Sequence, residues 1–340
     1  MQSSDSSDQV SLIVGIGASA GGLEAVSELL RHLPPGIDMG FVVVQHLSPG
    51  QESMLGELLA RTTQMPVVTV VDGMVVEANH VYVIPPNVQM TIAQGRLRLA
   101  PWEQGQRRTK TIDLFFQSLA ADQKNKAIAI VLSGSNDDGA LGVEAIRTEG
   151  GIVFAQDRAS AEFADMPAAA IATGNVDFIL SPAAIAEELV KLKRHPYLRA
   201  TPAPGPGDAG TPPIADDELI DVFRLLQRHT GVDFANYKPT TFQRRLRRRM
   251  AVHKCLNLGE YLQFLQNHPG EIQALYQDVL ITVTGFFRDP EMYAVLQERV
   301  FPLLLQRPNA ASSIRIWVPG CATGEEAYSL AMCLLEALQS

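Results

Sequence analysis

From Val10 to about His195 the chain alternates between short β-branched runs and segments of helical spacing. The runs VSLIVGI, GFVVVQ, VVTVV, VYVI, AIAIVLS, GIVFA and DFIL are apolar at consecutive positions, the mark of strands covered on both faces. Segments such as LEAVSELLRHL and LGVEAIRTEG lie between them, with apolar residues three and four apart. The pattern predicts an α/β fold, a doubly wound and mostly parallel sheet wrapped by helices. Between Pro196 and Pro213 six prolines and three glycines interrupt it, and this stretch reads as a semi-extended tether. From Asp216 to about Leu280 the period is helical throughout, with Asp216 and Asp217 as candidate N-terminal caps and Gly231 as a stop. At Ser313 the strand-like run SIRIWVP leads through GCATGEE into AYSLAMCLLEALQ. One βα unit is too little for a domain, so the expectation is that the chain holds only the opening of its last fold. The resulting division is a disordered start at 1–9, an α/β domain at 10–195, a linker at 196–215, a small all-α domain at 216–286 and the first βα unit of a Rossmann-like domain at 287–340.

Composition narrows the class. With 46% hydrophobic and 19% charged residues the 340-residue chain is globular, and its net charge of −9 argues against a surface built to coat nucleic acid. Cys255, Cys321 and Cys333 form no CxxC pair, which predicts neither a disulfide framework nor a metal site and suits a reducing, cytoplasmic setting. No apolar run approaches the roughly 20 residues needed to span a bilayer, so no membrane insertion is expected.

Three strand ends carry the chemistry. The first strand runs into Gly15-Ile16-Gly17-Ala18-Ser19-Ala20-Gly21-Gly22 and then a helix, which puts Ser19 on a tight turn at a helix start. The second ends FVVVQH and brings His46 to the same edge, and AIAIVLS ends in Gly134-Ser135-Asn136-Asp137-Asp138-Gly139. Separately, His46 reads as a structural histidine and either aspartate as a helix cap. Jointly they read as nucleophile, base and orienting carboxylate at the carboxyl edge of an open sheet, where ligands gather. Gly15-x-Gly17-x-x-Ala20 also matches a dinucleotide fingerprint and leaves a nucleotide-binding oxidoreductase as an alternative. That reading is weakened because Gln45-His46 stands where a ribose-binding carboxylate would be, with Asp38 ahead of the strand instead.

These residues, with VVVQHLSP, VYVIPPN, TIDLFFQSLA, LSGSNDDGALG and FADMPAAAI, resemble the catalytic domain of the chemotaxis protein-glutamate methylesterases, CheB, over roughly residues 10–195. The resemblance implies Ser19 as nucleophile, His46 as general base and Asp138, the aspartate directly before glycine, as the orienting carboxylate. It implies hydrolysis of glutamyl methyl esters on chemoreceptors, with glutamine deamidation beside it, and no cofactor or metal. Ser133-Gly134-Ser135-Asn136 stands where the family usually has Thr-Gly-Met-Gly, with the Ser135 N–H as oxyanion donor. Only nine residues precede Val10, so no phosphorylated receiver domain is expected ahead of it.

A second constellation is basic. From Phe234 to Gly259 there is no acid, while Lys238, Arg244, Arg245, Arg247, Arg248, Arg249 and Lys254 supply seven positive charges. Phe242, Leu246 and Met250 recur every four residues as the core face, which leaves the arginines for an acidic protein surface; no aromatic residues interleave to suggest nucleic acid. With Thr282-Val283-Thr284-Gly285-Phe286-Phe287-Arg288 and the Gly320 loop, this half resembles the chemoreceptor methyltransferases, CheR. The resemblance implies S-adenosylmethionine as the cofactor of the complete enzyme, contacted by Thr282, Thr284, Arg288, Gly320 and Glu326. Thr282 stands where that family often has Asn, and Ala322 replaces a glycine common in other methyltransferases. The overall reading is a serine-hydrolase methylesterase that acts on chemoreceptor helices, fused to a methyltransferase half too incomplete to be active, its terminal stripe of Leu330, Leu334, Leu335 and Leu338 partly exposed. A catalytically silent sensory scaffold is the alternative.

Overall fold

The computed structural model describes residues 12–46, 54–102, 110–199, 214, 216–280, 286–305, 314–322 and 324–339. They belong to two compact units, Met1–Val279 and Leu280–Ser340.

In the first unit each of the seven predicted runs supplies a strand. These are β1 (Leu12–Ala18), β2 (Met39–Gln45), β3 (Val67–Thr69), β4 (Val81–Val83), β7 (Ala127–Val131), β8 (Ile152–Gln156) and β9 (Phe178–Leu180). They pair in parallel in the order β3-β4-β2-β1-β7-β8-β9. The order reverses between β2-β1 and β1-β7, so the switch point of the sheet lies at the end of β1.

Side chains alternate across this sheet. Leu12, Val14 and Ile16 join a core with α1 (Gly22–His32) and α6 (Pro182–Leu192) on one face. On the other face Ile13, Val42 and Val44 pack with α3 (Thr111–Gln123) and α4 (Ala140–Thr148). Glycine in β1 lets α3 come close: a Cβ at Gly17 would lie 2.5 Å from Cγ2 of Ile112. Two shorter helices, α2 (Leu55–Ala60) and α5 (Asp165–Ala172), complete the layers.

Two features around this sheet depart from the sequence reading. An antiparallel hairpin, β5 (Val88–Ala93) with β6 (Arg96–Pro101), was not foreseen, although MTIAQGRLRL alternates and turns at Gln94-Gly95. Both turn residues have positive φ, 54° and 69°, as a two-residue hairpin requires. The predicted tether also begins later than Pro196. Pro196–Arg199 is a short helix, α7, whose Tyr197 and Leu198 are buried in the core, because proline opens a helix without loss and the next residues are apolar. The rest of the linker, 200–213 and 215, lies outside the described residues, as do 1–9.

The unit continues through four helices, α8 (Asp216–Thr230), α9 (Pro239–Val252), α10 (Leu258–Asn267) and α11 (Pro269–Val279). Leu219, Val222, Phe242, Leu246, Tyr261 and Leu275 form their core, and Gly231, at φ 75°, follows α8 as expected. The basic face of α9 corrects the sequence reading. Arg245, Arg247, Arg248 and Arg249 are buried, Arg248 completely. Arg248 donates to Asp278 at 2.8 Å, Asp177 at 2.6 Å and the Gly151 carbonyl at 3.0 Å. Arg245 donates to the carbonyls of Arg147 and Thr148 at the end of α4, at 2.9 and 2.7 Å, and Arg147 itself pairs with Asp278. Arg249 pairs with Glu271. The acids that neutralise this helix lie far along the chain, on β9's approach and on α11, where local charge counting cannot see them. Cationic groups at the last carbonyls of α4 also complement that helix end.

The second unit contains α12 (Pro290–Val295), a π-helical turn at Leu296–Val300, α13 (Phe301–Leu305) and α14 (Glu325–Gln339). Tyr293, Phe301 and Cys333 form its buried centre, with Leu330 and Leu334 against them, while Leu335 and Leu338 are exposed. The strand expected from Ser313 is not formed among the described residues: 314–318 pair with no strand, and Trp317 is 89% exposed. A strand exists only by its partners, which this segment lacks here. No described helix is long and apolar enough to cross a membrane.

Candidate active site

Ser19 is the first residue after β1, His46 the first after β2, and Asp138 follows β7. The parallel register pairs Ala18 with Gln45, so the serine and histidine leave the sheet side by side. His46 Nδ1 lies 3.3 Å from Ser19 Oγ, and His46 Nε2 lies 2.8 Å from Asp138 Oδ2. The ring thus has one nitrogen toward the hydroxyl and one toward the carboxylate, the arrangement a base and its orienter need. The three residues named from sequence are brought together.

Asp138 is fully buried. Its carboxylate accepts the Ile112 N–H at Oδ2 and the Asp113 N–H at Oδ1, both at 2.9 Å, at the start of α3. The unpaired amides and positive end of that helix replace the water the carboxylate has lost. Asp138 is therefore a cap as well as a partner of histidine, but it caps a helix 25 residues upstream of it. Asp137 turns away, 72% exposed, with Lys110 Nζ at 2.9 Å, which pulls its carboxyl below the usual range.

Sequence reasoning missed the support behind Asp138. Asp113 Oδ1 accepts the N–H groups of Gly139 and Gly142 at 2.9 and 2.8 Å, and Lys110 Nζ is 3.3 Å from its carboxylate. Burial is the main cause that raises the Asp113 carboxyl's pKa; the Gly142 hydrogen bond opposes it, Asp138 adds to it, and Lys110 opposes it. A short polar residue in the first turn of TIDLFF was the available signal.

Backbone contacts fix the serine. Ser19 N–H donates to the Ser133 carbonyl at 2.9 Å, and Gln45 Nε2 donates to the Ser19 carbonyl at 3.4 Å. A Cβ at Gly134 would lie 2.7 Å from Met166 Sδ and 3.0 Å from the Ser19 Cβ, so glycine there allows the loop to lie against the serine. Ser133 Oγ donates to the Ala20 carbonyl at 2.9 Å and accepts the Phe163 N–H at 3.0 Å, which ties three loops together. The Gly134 N–H is committed to the Phe163 carbonyl, whereas Ser135 is exposed. Beside His46 runs a cleft lined by Ile84, Pro85, Pro86, Val88, Trp102 and Thr111.

Residues 14–189 match the model for CheB methylesterase. The chain belongs to the CheB methylesterase family. Residues 217–280 match the all-alpha domain of CheR methyltransferase and 282–340 its SAM-binding domain, so the CheB domain is followed by CheR domains. An uncharacterized 104.1 kDa protein of Rhodobacter capsulatus is 40% identical over 306 residues, 84% of this chain and 32% of that protein. A protein-glutamate methylesterase/protein-glutamine glutaminase of Burkholderia thailandensis is 34% identical over 181 residues, 53% of each chain. The Thermotoga maritima CheB methylesterase catalytic domain is 30% identical, with a TM-score of 0.49, over 53% of this chain and 98% of that one. This chain thus spans about a third of the first relative and half of the second.

In the CheR part, Thr282 and Thr284 lie outside the described residues. Arg288, Gly320 and Glu326 are solvent-exposed, with Gly320 at φ 69° and open space where a Cβ would be. Without a paired strand beneath them, these residues form no enclosed cradle for S-adenosylmethionine among the described residues.

Proposed function

We propose that this chain hydrolyses glutamyl methyl esters on chemoreceptor helices, and deamidates receptor glutamines, by a Ser19–His46–Asp138 triad. The hydrogen-bonded line from Ser19 Oγ through the imidazole to a buried, amide-held Asp138 carries the reading. His46 Nδ1 takes the hydroxyl proton as Oγ attacks the ester carbonyl, and Asp138 stabilises the imidazolium. The tetrahedral oxyanion is met by N–H groups at the start of α1 and at Ser135. Collapse expels methanol, which takes its proton from His46. Water, deprotonated by the same nitrogen, attacks the acyl-enzyme and releases glutamate and the free serine.

The affinity for S-adenosylmethionine is proposed to be weak, because Arg288, Gly320 and Glu326 are exposed and, among the described residues, no paired strand lies beside them. The decisive experiment is methanol release from methylated receptor fragment by the 340-residue chain and by Ser19→Ala. Release by the first alone supports the reading. An inert wild-type chain with an intact fold would point instead to a silent scaffold.

A further inference from the structure

The Asp138 carboxylate holds the first amides of α3, and the Asp113 carboxylate, from the first turn of α3, holds the Gly139 and Gly142 amides that begin α4. Each aspartate therefore caps the helix the other belongs to or precedes. The two segments carry Asp138 between them, since Gly139 follows it directly and Asp113 N–H grips it. Gly139 is at φ 99°, a conformation that glycine adopts readily and that turns the chain between Asp138 and α4. Asp113 has a side chain only 4% exposed, and Lys110 is the cation near it. Neither Asp113 nor Lys110 is among the residues hydrogen-bonded to Ser19 or His46.

We propose that Asp113 is a positioning residue for the triad: by holding the start of α4 against α3 it fixes the Asp138 carboxylate where His46 Nε2 meets it. The proposal rests on the triad reading above. Loss of the cap frees the 138–142 turn, and displacement of about 1 Å at a catalytic group costs up to about a hundredfold in rate. Binding of the receptor helix is untouched, since Asp113 lies beneath the site.

The test is steady-state kinetics on methylated receptor fragment in the full chain, with the folded fraction measured by circular dichroism. Asp113→Ala is expected to lower kcat about tenfold to a hundredfold with KM within about twofold. Asp113→Asn retains an oxygen acceptor for both amides and is expected to restore most of kcat. The downfield ring proton of His46 shared with Asp138 should vanish from the NMR spectrum of Asp113→Ala and return in Asp113→Asn. Wild-type kcat and an intact ring proton in Asp113→Ala, with only its thermal stability lowered, would overturn the proposal and leave a structural cap. Should Asp113→Ala fail to fold, Asp113→Glu keeps the charge but sets its oxygens a methylene too far; an unchanged kcat there would equally overturn it. Ser19→Ala is the control: if it is inactive while the Asp113 variants are fully active, only this proposal falls. If Ser19→Ala turns over ester, the triad reading falls first.

Discussion

Arg248 and Asp278 meet at 2.8 Å where neither side chain touches solvent. Asp177 closes on the same guanidinium from the approach to β9, and Arg147 closes on the same carboxylate from α4. The CheR-type helices are thereby joined to the CheB-type sheet by buried charges. Removing one partner leaves the other as an uncompensated buried charge, so Asp278→Ala and Arg248→Ala should each destabilise the first unit by about 3–5 kcal/mol. Urea unfolding measures this. A loss under about 1 kcal/mol in both would show that water reaches the network.

Because those arginines are buried, charge reversal at Arg248 should unfold the unit rather than weaken an acidic partner's binding. Arg248→Glu is expected to be insoluble or molten at every salt concentration, since a buried pair is little screened. A well-folded Arg248→Glu with reduced affinity for receptor would return α9 to the role of an exposed docking face.

Ser19→Ala and His46→Ala should each lose about 10⁴- to 10⁶-fold in ester turnover with the fold retained, because nucleophile and base act as one unit. Asp138→Asn should be impaired far more than Asp137→Asn, given that Asp137 faces solvent and Lys110. Methanol release, measured per folded molecule, ranks the four. A greater loss at Asp137 would reassign the carboxylate.

Glu271 supplies a pH dependence. Burial alone would raise its carboxyl, but hydrogen bonds from His253, Arg249 and Tyr261 together with the Arg249 charge bring it down to about 2 from 4.5. A carboxyl lowered on folding stabilises above its unfolded value and loses that contribution as pH falls through the window from 4.5 to 2. Stability should therefore drop on the order of a few kcal/mol across that window. Glu271→Gln should flatten this part of the profile in urea melts at stepped pH. An identical acid slope in the variant would assign the loss to other carboxylates.

The 340-residue chain should bind S-adenosylmethionine weakly and transfer no methyl group to receptor. Calorimetric titration and a labelled-methyl assay check this. Tight binding would mean that Thr282, Thr284 and the Gly320 loop form a cradle without a sheet beneath them.

Much of the sheet and the site was legible because both are written locally. Seven apolar runs of strand length, unbroken by alternation, can only be buried on both faces, and a parallel order puts every strand end with a helix after it on one edge. Ser19, His46 and the Asp137-Asp138 pair each stand immediately past such an end, so their proximity followed from topology. The hairpin was legible too: Met90, Ile92, Leu97 and Leu99 alternate with Thr91, Arg96 and Arg98 on either side of the Gln94-Gly95 turn.

By itself, then, the sequence determined the strand set, the helical stretch from Asp216 and the residue types at the sheet edge, because burial and periodicity act between near neighbours. Tertiary structure alone decided what holds Asp138 inward and what α9 faces. Only the family resemblance, through the glycine that follows it, singled out Asp138 from Asp137 in the sequence; the physical reason is the helix start at Ile112 and Asp113, which lies 25 residues away. The arginines of α9 look like a face for an acidic partner until Asp177, Asp278 and the carbonyls of α4 surround them. A charge takes its meaning from the dielectric and the counter-charges around it, and those are set by contacts between segments far apart in the chain.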